Sequence, residues 1–362
     1  MSKVQLFLVA GFLGSGKTTA IQQAVTFLHQ NKKKAGVITN DQGRQQVDTQ
    51  FMIGHNIPLE EVADGCFCCN YNELEKSIKS LKNKERPDVI FAESVGSCTD
   101  LAATVMNPLL KFNPGQYEIV LSVFADIRLL IKFLKSDKNI FYDNVNYIYE
   151  KQLEEADIIV VNKVDLLDES QLQLAKQLIE AAFDGKVILY QNSLSAENIQ
   201  QWLTTCDDFQ NSLLRTSPEI DYDIYGAGEA ELAWLDEEIG IVTNDHSAVA
   251  VGYLLINKIY NKIVGQDLPI GHLKFLMDDG KERKKISFTA VPVTDGNDIQ
   301  YMETDRIIIL INARVQVTPV LLQKIVADAI NETELETKSK ITENKLSAFQ
   351  PGYPRPTHRI IA

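Results

Sequence analysis

Between residues 4 and 190 the chain repeats one pattern: a short, β-rich apolar run, in several cases continuously apolar, then a longer helix-like stretch. The apolar runs fall at 4–10, 35–39, 58–63, 88–92, 117–125, 157–161 and 186–190. Runs that do not alternate apolar with polar residues are those of strands covered on both faces, and their alternation with helical stretches predicts a mostly parallel α/β sheet. After Trp202 the pattern breaks. A polar stretch at 207–228, with serine, proline, aspartate and two glycines, reads as a linker.

Beyond it, periodicity predicts a strand at 230–242, a helix at 247–263, strands near 271–277, 285–291 and 306–317, and a helix at 319–331. That order suggests a small α+β domain of ferredoxin-like topology. The last residues start polar and end with Pro351, Pro354 and Pro356, which exclude a helix or an inner strand, so 333–362 is expected to be an extended tail. The expected organisation is a nucleotide-binding domain at 1–206, a linker at 207–228, a small domain at 229–332 and the tail at 333–362. No internal repeat is evident.

The first strand runs directly into Gly11-Phe12-Leu13-Gly14-Ser15-Gly16-Lys17-Thr18, which fits G-x-x-x-x-G-K-[ST] at every fixed position and precedes a predicted helix. The glycines Gly11, Gly14 and Gly16 let the backbone curl so that successive N–H groups, Ser15 among them, face phosphate oxygens, and the helix aims its positive end at them. This is the loop of a P-loop NTPase domain. Lys17 is expected to bridge β- and γ-phosphate oxygens, Thr18 to ligate Mg2+, and Thr19 to lie near the α-phosphate. The run at 88–92 ends in Glu93-Ser94-Val95-Gly96. Glu93 there would hold the magnesium and organise the attacking water, and the Gly96 N–H would meet the γ-phosphate.

Asn162-Lys163-Val164-Asp165 follows the sixth run as N-K-x-D. A carboxylate at Asp165 accepts from the paired N1 and N2 donors of guanine, an edge that adenine lacks. Asn162 would support the loop, the Lys163 stem would cover the ring face, and Ser195, after the seventh run, would add a backbone contact to the base.

Of five cysteines, Cys66, Cys68 and Cys69 form one cluster. An odd count with three adjacent thiols does not resemble a secreted disulfide framework. Three soft thiolates can cap Zn2+ or a similar ion with a fourth ligand from elsewhere, and the nearby helix start would acidify them. Redox sensing and plain burial are the alternatives. Cys98 and Cys206 read as isolated structural residues.

A formal net charge of −13 argues against a long contact with nucleic acid or an anionic membrane. The basic runs at 32–34 and 281–285 read as solvated surface. No run approaches the roughly 18 apolar residues that span a bilayer, and residues 4–10 lead into the glycine loop rather than a cleavage site. A soluble, cytoplasmic protein is expected.

Taken together, the phosphate loop, Asn40-Asp41-Gln42-Gly43 with Asp48, Gly65-Cys66-Phe67-Cys68-Cys69, Glu93-Ser94-Val95-Gly96 and Asn162-Lys163-Val164-Asp165 resemble the CobW-like branch of the CobW/HypB/UreG GTPases, a class associated with metal handling. The resemblance covers roughly residues 1–205. It implies GTP and Mg2+ as ligands, Glu93 in the magnesium site, Asp41 and Asp48 binding an ion in the first switch, and the three cysteines holding a transferred metal: zinc, with cobalt and nickel as alternatives. Gln42 stands where the family usually has an aromatic residue and Val95 where a small hydroxyl residue is common. The histidines are scattered rather than gathered in a histidine-rich stretch.

The leading expectation is a GTP-hydrolysing chaperone that delivers a metal or metal cofactor to a client metalloprotein or corrinoid protein, with a homodimer left open. A non-catalytic switch sensing metal or redox state, a corrinoid-pathway accessory protein, and a small-molecule kinase are the competing classes.

Overall fold

The computed structural model describes residues 3–40, 47, 57–62, 65–135, 140–291 and 303–362. Asp41 and Asp48, expected in the first switch, lie outside the described residues. The chain divides into two compact units. One comprises Met1–Gln42, Met52–Gly228 and Tyr353–Ala362, and the other Gly43–Phe51 and Glu229–Gly352.

The first unit carries a parallel sheet of β1 (Val4–Gly11), β2 (Ala35–Asn40), β3 (Leu59–Val62), β4 (Val89–Glu93), β5 (Tyr117–Asp126), β6 (Ile158–Asn162) and β7 (Val187–Gln191). Its order is β3-β2-β4-β1-β5-β6-β7, with every neighbouring pair parallel. All seven strands fall on the seven apolar runs. Between them run α1 (Lys17–Gln30), α2 (Tyr71–Lys84), α3 (Asn107–Phe112, continuing a π-helical turn Ala102–Met106), α4 (Ile127–Leu134), α5 (Asp143–Glu155), α6 (Glu169–Ala182), α7 (Ala196–Phe209) and α8 (Tyr222–Ala230). Strand order reverses at β1, which lies between β4 and β5. In such sheets the carboxyl ends of the strands at the reversal open the ligand crevice.

The core that fixes those ends is aromatic. Trp202 of α7 is fully buried, lies edge-on to Phe124 at 5.1 Å and tilted against Phe91 at 5.9 Å, and donates its indole N–H to Ser122 Oγ at 3.0 Å. It thus ties together β4 and β5, the two strands flanking the phosphate-loop strand.

Residues 207–228, expected as a linker, are held on this unit. Asn211 exchanges backbone hydrogen bonds with Ile119 at 2.9 and 3.2 Å, and Arg215 donates to Asp157 Oδ1 at 2.9 Å and to the Ile119 carbonyl at 3.0 Å. The polar residues that suggested solvent exposure satisfy strand carbonyls and a carboxylate instead.

The second unit consists of β8 (Leu232–Val242), α9 (Ala248–Val264), β9 (Ile270–Asp278), β10 (Arg283–Thr289), β11 (Arg306–Gln316), α10 (Pro319–Thr337) and β12 (Lys340–Phe349), with an antiparallel sheet in the order β10-β9-β11-β8-β12. Without β10, added at the edge, this is the ferredoxin-like order. α9 and α10 pack Ile256, Ile259, Leu322 and Val326 against Ile239, Phe275 and Ile311. The strand residues of opposite parity carry a buried polar set: Arg314 pairs with Asp236 at 2.8 Å and lies over Trp234, and Asn312 Nδ2 donates to Asp236 Oδ1 at 2.8 Å. Asn312 Oδ1 accepts from the Val47 backbone N–H at 2.8 Å.

The extended tail expected at 333–362 is corrected. α10 runs to Thr337, Lys338 ends it with a left-handed φ of 55°, and β12 pairs along β8. β12 is an edge strand with mostly exposed, mostly polar side chains, which removes the apolar alternation that marks a half-buried strand. Residues 350–362 contain no helix or strand, and 353–362 belong to the first unit. Among the described residues, no helix is long and apolar enough to cross a membrane.

Trp202→Ala is expected to lower stability by about 3–5 kcal/mol, since it opens a cavity beneath β4 and β5 and removes the donor that satisfies Ser122. Urea unfolding followed by circular dichroism measures this, and a loss below about 1 kcal/mol would contradict the structural role.

Candidate functional site

β1 ends at Gly11, whose φ of 125° brings its backbone against β5 so closely that a Cβ would collide with the Phe124 carbonyl. Gly14 and Gly16 follow with φ of 76° and 95°, and a Cβ on Gly16 would strike the Asn162 amide. The loop therefore needs glycine for both dihedral and space. Lys17 is buried and donates to the Gly11 and Phe12 carbonyls at 2.7 and 3.3 Å, so its amine lies under the curl of the loop. The Ser15 hydroxyl is buried with no hydrogen-bond partner among the described residues. Thr18 Oγ1 donates to Glu93 Oε1 at 2.9 Å, which joins the two expected magnesium residues across 75 positions of sequence. Thr19 is half-buried in the first turn of α1. Left-handed glycines, an orphan buried hydroxyl, a loop-bound amine and a hydroxyl–carboxylate pair at a helix start form a donor set that suits a magnesium-bound polyphosphate.

After Glu93 the chain turns under the loop. Gly96 packs so closely that a Cβ would come within 3.0 Å of the Leu13 nitrogen, and its carbonyl accepts from Gln152 Nε2 of α5 at 3.0 Å.

The Asn162 segment is locked to the phosphate loop. Asn162 Nδ2 donates to the Ser15 carbonyl at 2.9 Å, and its Oδ1 accepts from the Ser193 hydroxyl at 2.8 Å. Lys163, left-handed at φ 65°, donates to the Gly14 carbonyl at 2.8 Å and to Asp126 Oδ2 at 2.9 Å. Asp165 sits in the short turn Val164–Leu166 with its side chain exposed. Ser195 caps α7, accepting from Asn198 N at 3.4 Å, and its own N–H goes to the Asn192 carbonyl at 2.9 Å. The serine that meets the motif is Ser193.

Asp126, at the end of β5, was not anticipated. It is buried, pairs with Arg128 at 2.7 Å, and anchors Lys163. Burial would raise its carboxyl, yet the Arg128 hydrogen bonds and the Lys163 and Arg128 charges hold it below its usual value. A strand-terminal aspartate level with Asn162 in the neighbouring strand was the available signal.

The cysteine loop joins β3 to α2. Asn40 pins it: Nδ2 donates to the Val62 and Gly65 carbonyls at 2.9 and 2.7 Å, and Oδ1 accepts from Phe67 N at 2.9 Å. With Phe67 buried, the turn gathers the three thiols, whose sulfurs all lie within 4.8 Å of one another. Cys66 and Cys68 sulfurs are 2.6 Å apart, and Cys68 and Cys69 sulfurs 3.8 Å. None of the five cysteines is in a disulfide.

Cys98, read as isolated, lies beside this group, although the three sulfurs within 4.8 Å of one another are those of Cys66, Cys68 and Cys69. It is fully buried and its thiol contacts those of Cys66 and Cys68. Hydrogen bonds from Cys68, Cys69 and Cys98 pull Cys66 well below the ordinary thiol value, and the sharing with Cys66 pushes Cys68 up. Nothing in the local sequence placed Cys98 there, since the contact is tertiary.

The C-terminal segment covers the cluster from another side. Thr357 donates from N to the Cys68 carbonyl at 2.8 Å and from Oγ1 to the Cys69 carbonyl at 2.7 Å, and His358 sits edge-on to Tyr71 and Phe112. Arg359 and Tyr222 both donate to the buried Asp100 Oδ2 at 2.7 Å. Beside it, Glu155 of α5 accepts from Thr99 Oγ1 at 3.1 Å and Ala102 N at 3.2 Å.

A glycine loop ahead of a helix, locked to an N-K-x-D segment at the open end of a parallel sheet, defines a P-loop nucleotide-binding domain. The model of the CobW/HypB/UreG nucleotide-binding domain matches residues 5–188, and the chain belongs to that family. Relatives include zinc chaperone CobW of Sinorhizobium sp, 28% identical over 205 residues, 51% of this chain and 57% of that protein. Zinc chaperone YjiA of Escherichia coli K12 is 28% identical over 181 residues, 47% and 52% of the two chains. Zinc chaperone YeiR of the same organism is 31% identical over 165 residues, 44% and 46%. The chain thus spans about half the length of these relatives.

Burial raises the Glu155 carboxyl to about 8, with the Asp100 charge adding to the rise against the Ala102 N–H. A carboxyl raised on folding takes up a proton, so its contribution is fully present below its ordinary value near 4.5 and is lost as pH climbs to about 8. Glu155→Gln should therefore flatten the fall of the thermal midpoint between pH 5 and 8. An unchanged slope in the variant would assign that fall to other groups.

Proposed function

We propose that the chain is a Mg2+-dependent GTP-binding and GTP-hydrolysing protein that carries a thiophilic metal at Cys66, Cys68 and Cys69 and delivers it to a client metalloprotein. The observation that carries this reading is the position of Asn40. Its side chain holds the cysteine loop at three points, and its backbone leads directly into Asp41 and the first switch. A nucleotide-dependent shift of that switch is transmitted to the thiols through one amide group.

In the nucleotide site, Lys17 exchanges the Gly11 and Phe12 carbonyls for β- and γ-phosphate oxygens. Thr18 and Glu93 would hold the magnesium, whose chemistry there would be to offset charge on the phosphate oxygens. The Gly96 N–H meets the γ-phosphate and Thr19 the α-phosphate, while Asp41 and Asp48 bind an ion in the switch. Asp165 accepts from guanine, with Asn162 bracing the loop, Lys163 covering the ring and the chain around Ser195 closing the far side. Zinc is the proposed cargo, because three relatives are named zinc chaperones and a buried thiol cluster is selective for soft ions. The second unit is assigned to client docking, in the cytoplasm.

Asp165→Asn is expected to lower GTP affinity at least a hundredfold and to raise xanthosine triphosphate affinity, because the amide offers a donor where guanine N1–H and N2–H need an acceptor. Fluorescent-analogue competition reads this out, and unchanged base preference rejects the guanine assignment. For the cargo, reduced protein should bind one zinc ion with submicromolar affinity, and the Cys66/Cys68/Cys69 triple alanine variant should not. Equal zinc binding by both proteins rejects the chaperone reading.

A further inference from the structure

Cys66 and Cys68 are 3% and 2% exposed, and the chain that lies on their turn comes from far along the sequence. Thr357 donates from its backbone N–H to the Cys68 carbonyl at 2.8 Å and from Oγ1 to the Cys69 carbonyl at 2.7 Å. Two residues further on, the same segment is fastened to the chain that follows β4. Arg359 Nε donates to Asp100 Oδ2 at 2.7 Å, Ile360 N to the Ala103 carbonyl at 2.8 Å, and Asn107 Nδ2 to the Ile360 carbonyl at 2.8 Å. Between these two sets of bonds His358 stands edge-on to Tyr71, the first residue of α2, and to Phe112, the last of α3, with ring centroids at 5.0 and 4.9 Å. Residues 357–360 therefore bridge the cysteine turn to the π-helical turn and α3.

The way this bridge is held suits release. Its contacts are mainly hydrogen bonds, ring edges and one ion pair, while Tyr353 and Ile361 are 51% and 64% exposed and Thr357 and Arg359 are exposed as well. A segment with few buried apolar contacts opens at a lower free energy than the sheet core. One contact makes the closed arrangement the resting one. Asp100 is fully buried, and its ion pair is with Arg359, on the same oxygen that accepts from the Tyr222 hydroxyl. Lifting Arg359 away leaves that buried carboxylate without its cation, which is unfavourable until another cation replaces it.

We propose that Tyr353–Ala362 is a releasable strap: seated, it closes the turn of Cys66, Cys68 and Cys69, and lifted, it opens those thiols to metal and to the client. The seat takes a chain segment with backbone donors for the carbonyls of Cys68 and Ala103 and a cation for Asp100. A client segment carrying an arginine or lysine in that position is the partner that displaces the strap. The inference rests on the metal-carrying reading above and supplies its access step.

The test is alkylation of reduced, metal-free, full-length protein by iodoacetamide, followed at each cysteine by mass spectrometry. In Arg359→Glu and in Ile360→Pro, which lacks the N–H that meets Ala103, Cys66 and Cys68 should react about tenfold faster than in wild type, or more. Cys206, fully buried in the core of the parallel sheet, should keep its wild-type rate and so report that the fold is intact. Wild-type rates at Cys66 and Cys68 in both variants overturn the strap. If a variant labels Cys206 as well, it has unfolded, and hydrogen exchange on the wild-type protein decides instead. There the amides of Thr357 and Ile360 should exchange about a hundredfold faster than those of β1, and protection equal to that of β1 overturns the proposal. These measurements contain no metal, so their failure removes the strap alone. Zinc retained by the Cys66/Cys68/Cys69 triple alanine variant removes the metal-carrying reading and leaves the strap in place.

Discussion

One buried amide organises the region where the chemistry converges. Gln152, fully buried on α5, donates to the carbonyls of both Gly96 and Cys98, and so sets the path of the loop that leaves β4. At one end of that loop Glu93 meets Thr18, in the middle Gly96 presses on Leu13, and at the far end Cys98 meets the thiol cluster. A buried donor stripped of its acceptors costs about 1–3 kcal/mol, so displacing this loop from Gln152 carries that cost. A packed, hydrogen-bonded loop with few alternatives passes a displacement on rather than absorbing it.

Asn40 holds the cysteine loop from the end of β2, and the Asn162 segment holds the phosphate loop. Asn162 and Lys163 hold the phosphate loop by its own carbonyls, and Asp126 fixes Lys163 from below. The segments proposed to select the base and bind phosphate, and the loop that gathers the thiols, thus follow strand ends of a single parallel sheet. The carboxyl edge of such a sheet is where loops can change without loss of the core, which Trp202 and its aromatic neighbours hold independently.

Much of this was legible from residues alone. The β-rich runs marked all seven strands of the parallel sheet, and the central ones, such as β1 and β4, were continuously apolar because both their faces are covered. Fixed motifs marked the phosphate loop, Glu93, the N-K-x-D segment and the three clustered cysteines, because each works through local backbone geometry. What escaped was non-local or carried on an exposed edge. β12 pairs on only one side and shows no apolar alternation. Residues 207–228 look like a linker because Arg215 and Asn211 spend their polarity on Asp157 and Ile119. Asp126 acquires its role only from segments brought together by folding, and the segment from Tyr353 to Ala362 closes on a site nearly 300 residues earlier in the sequence.

The central claim is that metal and nucleotide share one free energy. Calorimetric titration of a non-hydrolysable GTP analogue into reduced protein, with and without one equivalent of Zn2+, measures it most directly. The account predicts a change in affinity of about 5- to 150-fold, matched by the same factor when zinc is titrated with and without the analogue. Equal affinities in both pairs of titrations would mean that the cysteine site and the phosphate loop are energetically independent, contrary to the account.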